Sequence, residues 1–385
     1  SNAAKTGLLK TSVVKQAGQT VKSFVWDADN TPAYKTGEIE ELTADDINNV
    51  NITINGKPVS DFGIESLELD GEYDIDYYRV DTVKHVDSTT WAAFKNSLTK
   101  VNPDFKMIGE YSGAGYANTA GELGTGSMDS LLDFDFNDKA QAFVSGDMSG
   151  VEAFLSDRNV NINNTATMGA FLSSHDEDGL VYKLINQNGY SEEEALNLFR
   201  VAASLELTAK GQTVIYYGEE LGQYGADNYP YQTNRYDFDW NELENQKNDS
   251  SSMYNHYKKM LAIRNDNMTL FARGTRTTID ANNEAGYDVF ARTYGDKSLY
   301  IGLNVKDESQ TVTFAVNEKA GTKVCDLYSG KEYVVADDQT VTIEIPAAKD
   351  GGTVVLSMKA DTSKPEGGNG SEGGNGSEGG NGSEG

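Results

Sequence analysis

The sequence predicts an α/β chain built from parallel βα units, followed by an antiparallel β-sandwich and preceded by a small β-rich module. Three observations carry this. Residues 71–268 alternate short apolar runs with helical stretches, as parallel βα units do. Residues 269–358 replace that rhythm with short alternating strands and turns. Residues 1–70 show strand and hairpin signals but no βα period.

In the first segment, Gln19–Trp26 and Asn49–Asn55 read as strands, and Asn55-Gly56 is a hairpin turn signal. Trp26 suits a sugar-stacking platform, but a lone tryptophan in a strand is more often core. In the middle segment the strands fall at Ile75–Val80, Phe105–Gly109, Ser130–Phe134, Thr167–Leu172 and Thr213–Tyr217. Helices are expected over Thr89–Leu98, Gly150–Leu155, Ser191–Arg200 and Ser252–Leu261, with Ser191 and Glu194 forming a capping box. In the third segment, Tyr287–Tyr294, Ser298–Leu303, Thr311–Val316 and Thr340–Ile345 alternate with period two. Residues 359–385 are a Gly/Asn/Ser/Glu linker, with no apolar residue to bury from about Ser363.

Composition narrows function. A formal net charge of -28 and a pI near 4.4 oppose any surface that tracks nucleic-acid phosphates. They suit an extracellular, secreted or cell-surface protein acting on a neutral partner. No apolar stretch is long enough to span a membrane. Ser1-Asn2-Ala3 resembles an expression scar, and the remainder a segment of a secreted precursor. The single cysteine, Cys325, excludes an intramolecular disulfide and reads as a buried structural thiol.

In a parallel βα barrel, functional side chains stand where strands end. Arg79 and Asp81 close the first strand of the middle segment, Glu110 the second, and His175-Asp176 the fourth. Cleaving a glycosidic bond needs one carboxylate at the anomeric carbon and one carboxylic acid for the leaving oxygen. Arg79, two residues from Asp81 on a strand, shares its face and would keep it ionised.

These segments bear a family resemblance. Asp76-Tyr-Tyr-Arg-Val-Asp81-Thr-Val-Lys-His85 resembles the end of barrel strand four in the α-amylase family, glycoside hydrolase family 13. Met107-Ile-Gly-Glu110 is similar to its strand-five segment, and Phe171-Leu-Ser-Ser-His175-Asp176 to its strand-seven segment. Val214–Glu220 and Asn234-Arg235 through Trp240 resemble strand eight and the loop after it. The resemblance implies an incomplete barrel of α-amylase type, strands four to eight, acting as a retaining hydrolase of starch-like α-glucans. It implies Asp81 as nucleophile, Glu110 as general acid and then base, and Asp176 as stabiliser of the distorted sugar. Arg79, Lys84, His85, His175 and Arg235 would bind substrate. Tyr111, Tyr224, Tyr229 and Tyr231 would offer aromatic platforms at the same end.

Two departures stand out. Tyr77 replaces the family's glycine and would crowd the site, and Ser174 replaces its asparagine. None of the three histidines (His85, His175, His256) lies upstream of Asp81, so the family's Asn-His pair after strand three is missing, as are strands one to three and the excursion domain. His256 falls in a helical pattern and is expected to pack. The early strands would then pair with the sheet, or two chains would self-associate through the incomplete barrel, or the segment is a product of dissection. Many family members bind calcium beside the excursion domain; without that half, no metal site is expected, nor is any other cofactor. The rival reading is a non-catalytic glucan-binding or scaffold protein that inherited the carboxylates.

Overall fold

The computed structural model describes residues 75–162 and 167–357 in full. It also describes the backbone of four N-terminal strands: β1 (Leu8–Gln16), β2 (Gln19–Asp27), β3 (Asn51–Ile54) and β4 (Lys57–Pro58). These make a sheet of their own, with β1 and β2 antiparallel, β2 and β3 parallel, and Ile54 opposite Lys57. The Asn55-Gly56 turn, the Trp26 side chain and the glycine-rich tail lie outside the described residues.

The middle segment forms a five-stranded parallel sheet in simple sequence order: β5 (Tyr77–Val80), β6 (Lys106–Gly109), β7 (Ser130–Asp133), β8 (Thr167–Ala170) and β9 (Gln212–Thr213). Among the described residues the early strands do not join it, and β5 and β9 are its edges. On its inner face Ile108, Leu132 and Phe171 cluster with Phe134 and Val214. A Cβ at Gly169 would fall 2.7 Å from Ile108 Cδ1 and 3.0 Å from Val214 Cγ2, so a side chain there would have to push both aside.

Between strands run helices α1 (Ser88–Val101), α2 (Phe134–Val144), α3 (Met148–Asn161), α4 (Leu180–Asn186) and α5 (Glu192–Thr208). The helices α6 (Trp240–Lys247), α7 (Met253–Asp266) and α8 (Met268–Arg273) follow β9. The Ser191–Glu194 capping box opens α5. From Val201 to Thr208 every residue of α5 is buried, which makes it the central helix of the main core. Phe134, expected at a strand end, instead opens α2, because Asp133 turns back to accept from the Phe136 N–H. The Thr213–Tyr217 strand is likewise cut short at Thr213: the chain passes through a left-handed Gly218 into a turn, and the Tyr216 and Tyr217 hydroxyls donate to the Asn234 and Tyr236 carbonyls.

Beyond α8 lie a six-stranded sheet, in the order β10-β11-β12-β17-β14-β15, and a two-stranded sheet β13-β16. Their ranges are β10 Thr275–Asn282, β11 Tyr287–Tyr294, β12 Lys297–Asn304, β13 Gln310–Ala315, β14 Lys323–Asp326, β15 Glu332–Val334, β16 Thr340–Ile345 and β17 Thr353–Ser357. All described pairings are antiparallel. One face of this sandwich has its own core around Phe314, Ile343 and Leu356. The other shares a core with the helices: Phe290, Ile301 and Val355 meet Phe199, Tyr257 and Phe271. Cys325 lies on β14 and is half-buried rather than buried.

Charge also crosses this seam. Arg276 on β10 holds Glu152 of α3 at 2.5 Å and Asp288 of β11 at 3.4 Å, all nearly inaccessible to water. Arg292 donates to the carbonyls of Thr208, Leu270, Phe271 and Gly274, closing the ends of α5 and α8. His256 packs as expected, between Ser204 Oγ and Tyr328 OH; burial lowers its pKa to about 3 and keeps it neutral.

Candidate active site

Asp81 follows β5 directly and Glu110 follows β6 directly. Strand pairing aligns them: Val80 lies opposite Gly109, and the Glu110 N–H donates to the Val80 carbonyl at 2.7 Å. Alternation puts Tyr77, Arg79 and Asp81 on one face of β5. The Arg79 guanidinium then reaches both carboxylates, with Nη1 2.5 Å from Asp81 Oδ1 and Nη2 3.6 Å from Glu110 Oε2. Partial burial works to raise the Asp81 carboxyl. The hydrogen bond and charge of Arg79 outweigh it, Glu110 and His175 add to the effect, and the net direction is downward. Asp81 is thus held ionised. Its side chain is 63% exposed, against 15% for Glu110.

Glu110 is anchored by the chain just past the end of β5, where the Thr82 N–H donates to Oε2 at 3.0 Å. Thr82 adopts a left-handed φ of 50°, uncommon for a β-branched residue, in making this contact. The chain then forms a turn carrying Lys84 and His85, both exposed; Lys84 Nζ donates to the Ser112 carbonyl at 3.3 Å.

His175 and Asp176 do not close β8, as the sequence suggests. They lie beyond its end, in a loop pinched by a bridge between Ser174 and Glu177. Ser174, at the departure from the family pattern, accepts the Asp176 N–H on its hydroxyl at 3.1 Å. His175 Nε2 is 3.0 Å from Asp176 Oδ2, and Arg235 Nη2 is 2.6 Å from Oδ1. Arg235 Nε also donates to the His175 carbonyl. Asn234, which sequence reasoning passed over as a site residue, is buried and bonds the carbonyls of Ser174 and Glu177. Its place beside Arg235 was the available signal.

The structure therefore assembles two charge-paired groups, Arg79–Asp81–Glu110 and His175–Asp176–Arg235, with His175 near enough to act on Asp81. Lys84 and His85 sit beside the first. Tyr77 does not crowd them. It starts β5, and its hydroxyl exchanges hydrogen bonds with the Gln212 side chain at the start of β9, at the opposite end of the strands. Of the four loop tyrosines, Tyr111 and Tyr224 are half-buried, Tyr224 bonded to Glu192. Tyr229 and Tyr231 stand in solvent.

Among the described residues, no group of three or more His, Cys, Asp or Glu side chains is placed to hold a metal ion.

The chain is similar to known proteins over most of this region. Residues 68–236 match the α-amylase catalytic-domain family. The chain is 27% identical over 266 residues to neopullulanase 2 of Thermoactinomyces vulgaris, covering 68% of this chain and 42% of that protein. It is 27% identical over 391 residues to an α-amylase of Streptomyces lividans, covering 92% and 42%. The sequence thus spans well under half the length of these relatives. Among solved structures, an Anoxybacillus α-amylase superposes with a TM-score of 0.63 at 21% identity, over 85% of this chain and 71% of that one. An α-amylase from Geobacillus thermoleovorans, solved with acarbose, gives 0.63 at 19%, over 84% and 70%. Its strand-end motifs, its sheet and these matches together liken residues 68–236 to the catalytic domain of the α-amylase family, glycoside hydrolase family 13.

Proposed function

We propose that this site hydrolyses α-glucosidic bonds in starch-like glucans with retention of configuration. The observation that carries the reading is one guanidinium spanning Asp81 and Glu110. That contact favours a close pair. Retaining carboxyls stand about 5–5.5 Å apart, whereas inverting pairs need about 6.5–9.5 Å to admit a water.

In the first step the ionised Asp81 carboxylate attacks the anomeric carbon as the glycosidic C–O bond breaks. Glu110 delivers its proton to the departing oxygen. In the second, Glu110 takes a proton from water, the resulting oxygen attacks the same carbon, and the bond to Asp81 breaks. Arg79 keeps Asp81 charged and aimed. Asp176, oriented by Arg235 and His175, accepts hydrogen bonds from sugar hydroxyls, and Lys84 and His85 line the neighbouring sugar position. The acidic surface suits an uncharged polymer met outside the cell, and the open β5 edge suits self-association. Relatives named amylase, neopullulanase and cyclomaltodextrinase support glucan as the substrate class.

A second reading, a non-catalytic glucan binder, is favoured by the openness around Asp81, since a solvent-filled site weakens electrostatic stabilisation. A maltooligosaccharide reporter assay decides between them. The hydrolase reading expects Asp81→Asn to lower turnover by about four orders of magnitude. Turnover no higher than that of the Asp81→Asn variant would overturn it.

A further inference from the structure

Tyr229 and Tyr231 are 85% and 80% exposed, more than any other described aromatic residue. They occupy the tip of a tightly built loop. The Tyr231 N–H donates to the Asn228 carbonyl at 2.9 Å across the tip. Below it, Thr233 Oγ1 accepts from the Ala226 N–H at 2.9 Å, and the Asn234 N–H donates to the Ala226 carbonyl at 3.2 Å. A Cβ on Gly225 would fall 2.1 Å from the Thr233 carbonyl oxygen, so the two arms touch. The Asp227 N–H bonds Asp178, outside the loop.

This stem rests on the candidate active site. Asn234 bonds the backbone on both sides of His175-Asp176, and Arg235 clamps Asp176 itself. A hydrogen-bonded loop therefore holds two rings out in water, on a stem that braces His175-Asp176. Exposed aromatic surface in such a scaffold marks a binding surface. Asp227 and Asp237 flank the tip, and the whole chain is acidic, which disfavours anionic ligands. An uncharged sugar ring offers a C–H face to a phenol ring and hydroxyls to the polar residues around it.

Resting on the glucan reading above, we propose that Tyr229 and Tyr231 form an accessory α-glucan contact, stacking on sugar rings of a chain that continues from the unit held by Asp176 and Arg235. The test uses the full chain carrying Asp81→Asn, so that binding is scored without turnover. Affinity for soluble amylopectin is measured by gel retardation for this parent, for Tyr229→Ala/Tyr231→Ala, and for Tyr294→Ala, which removes an exposed ring on the sandwich. The loop variant is expected to weaken binding at least about tenfold with an unchanged melting temperature, and Tyr294→Ala to leave it unaltered. Three results would each overturn the proposal: undiminished binding by the loop variant, an equal loss in Tyr294→Ala, or no amylopectin binding by the parent. The two readings fail separately. Ring-dependent binding by a chain without turnover removes only the hydrolase reading, and turnover with ring-independent binding removes only this one.

Discussion

The rim around Asp81 and the seam around Arg276 use the same side-chain types under opposite conditions. At the rim, Arg79 and Asp81 form an ion pair open to water. At the seam, Arg276, Glu152 and Asp288 are almost wholly enclosed. Exposed pairs contribute little to stability, while breaking a buried pair strands a charge that cannot be rehydrated. The rim's charges are thus available for chemistry, and the seam's charges hold two bodies together. Even within the seam the carboxyls differ. Burial raises both, but Arg276 reverses this for Glu152, whereas burial and the neighbouring Glu152 charge push Asp288 well up.

A matched pair of substitutions tests the contrast most strongly. Arg276→Met should cost about 3–5 kcal/mol in chemical denaturation, and Arg79→Met no more than about 1 kcal/mol. Equal losses would break the distinction. Glu206 sharpens it next. Burial drives this carboxyl up to about 8 from its usual 4.5, against the pull of Arg264. Its contribution to stability is complete below pH 4.5 and disappears as pH rises through about 8. Unfolding free energy should therefore fall with pH across that window, by up to about 1.4 kcal/mol per pH unit. Glu206→Gln should flatten the profile, and an unchanged slope would assign it elsewhere. The smallest effect belongs to Tyr77→Phe, which removes the bond to Gln212. It should cost about 0.5–1.5 kcal/mol and speed hydrogen exchange in β5 more than in α5.

The rim was legible in sequence for a physical reason. A parallel strand buries its middle, so a charged residue at its end stands out, as Asp81 and Glu110 do after apolar runs. The seam was not. Glu152 lies 124 residues before Arg276 and Asp288 stands on the next strand, and nothing local distinguishes the three from surface charges until the fold brings them together. Strand ends were misjudged where β-propensity ran on past a turn. Thr213–Tyr217 and Phe134 both carry strand-like residues, but Gly218 and the Asp133 cap redirect the chain. Tyr77 was recognisable as a departure; that it reaches Gln212, and not the carboxylates, depends on the register of the whole sheet.

The Tyr77–Gln212 bond also bears on how this site would lose its geometry. Among the described residues β5 has a single strand neighbour, β6, and across the sheet's inner face the phenol–amide contact ties it to β9. Fraying on warming should start at this edge, long before the α5 core melts, and β5 would carry Arg79 and Asp81 away with it. Thermal loss of the site would then be a local, reversible event that precedes unfolding, and a melting curve would overstate the temperature at which the carboxylates remain in register.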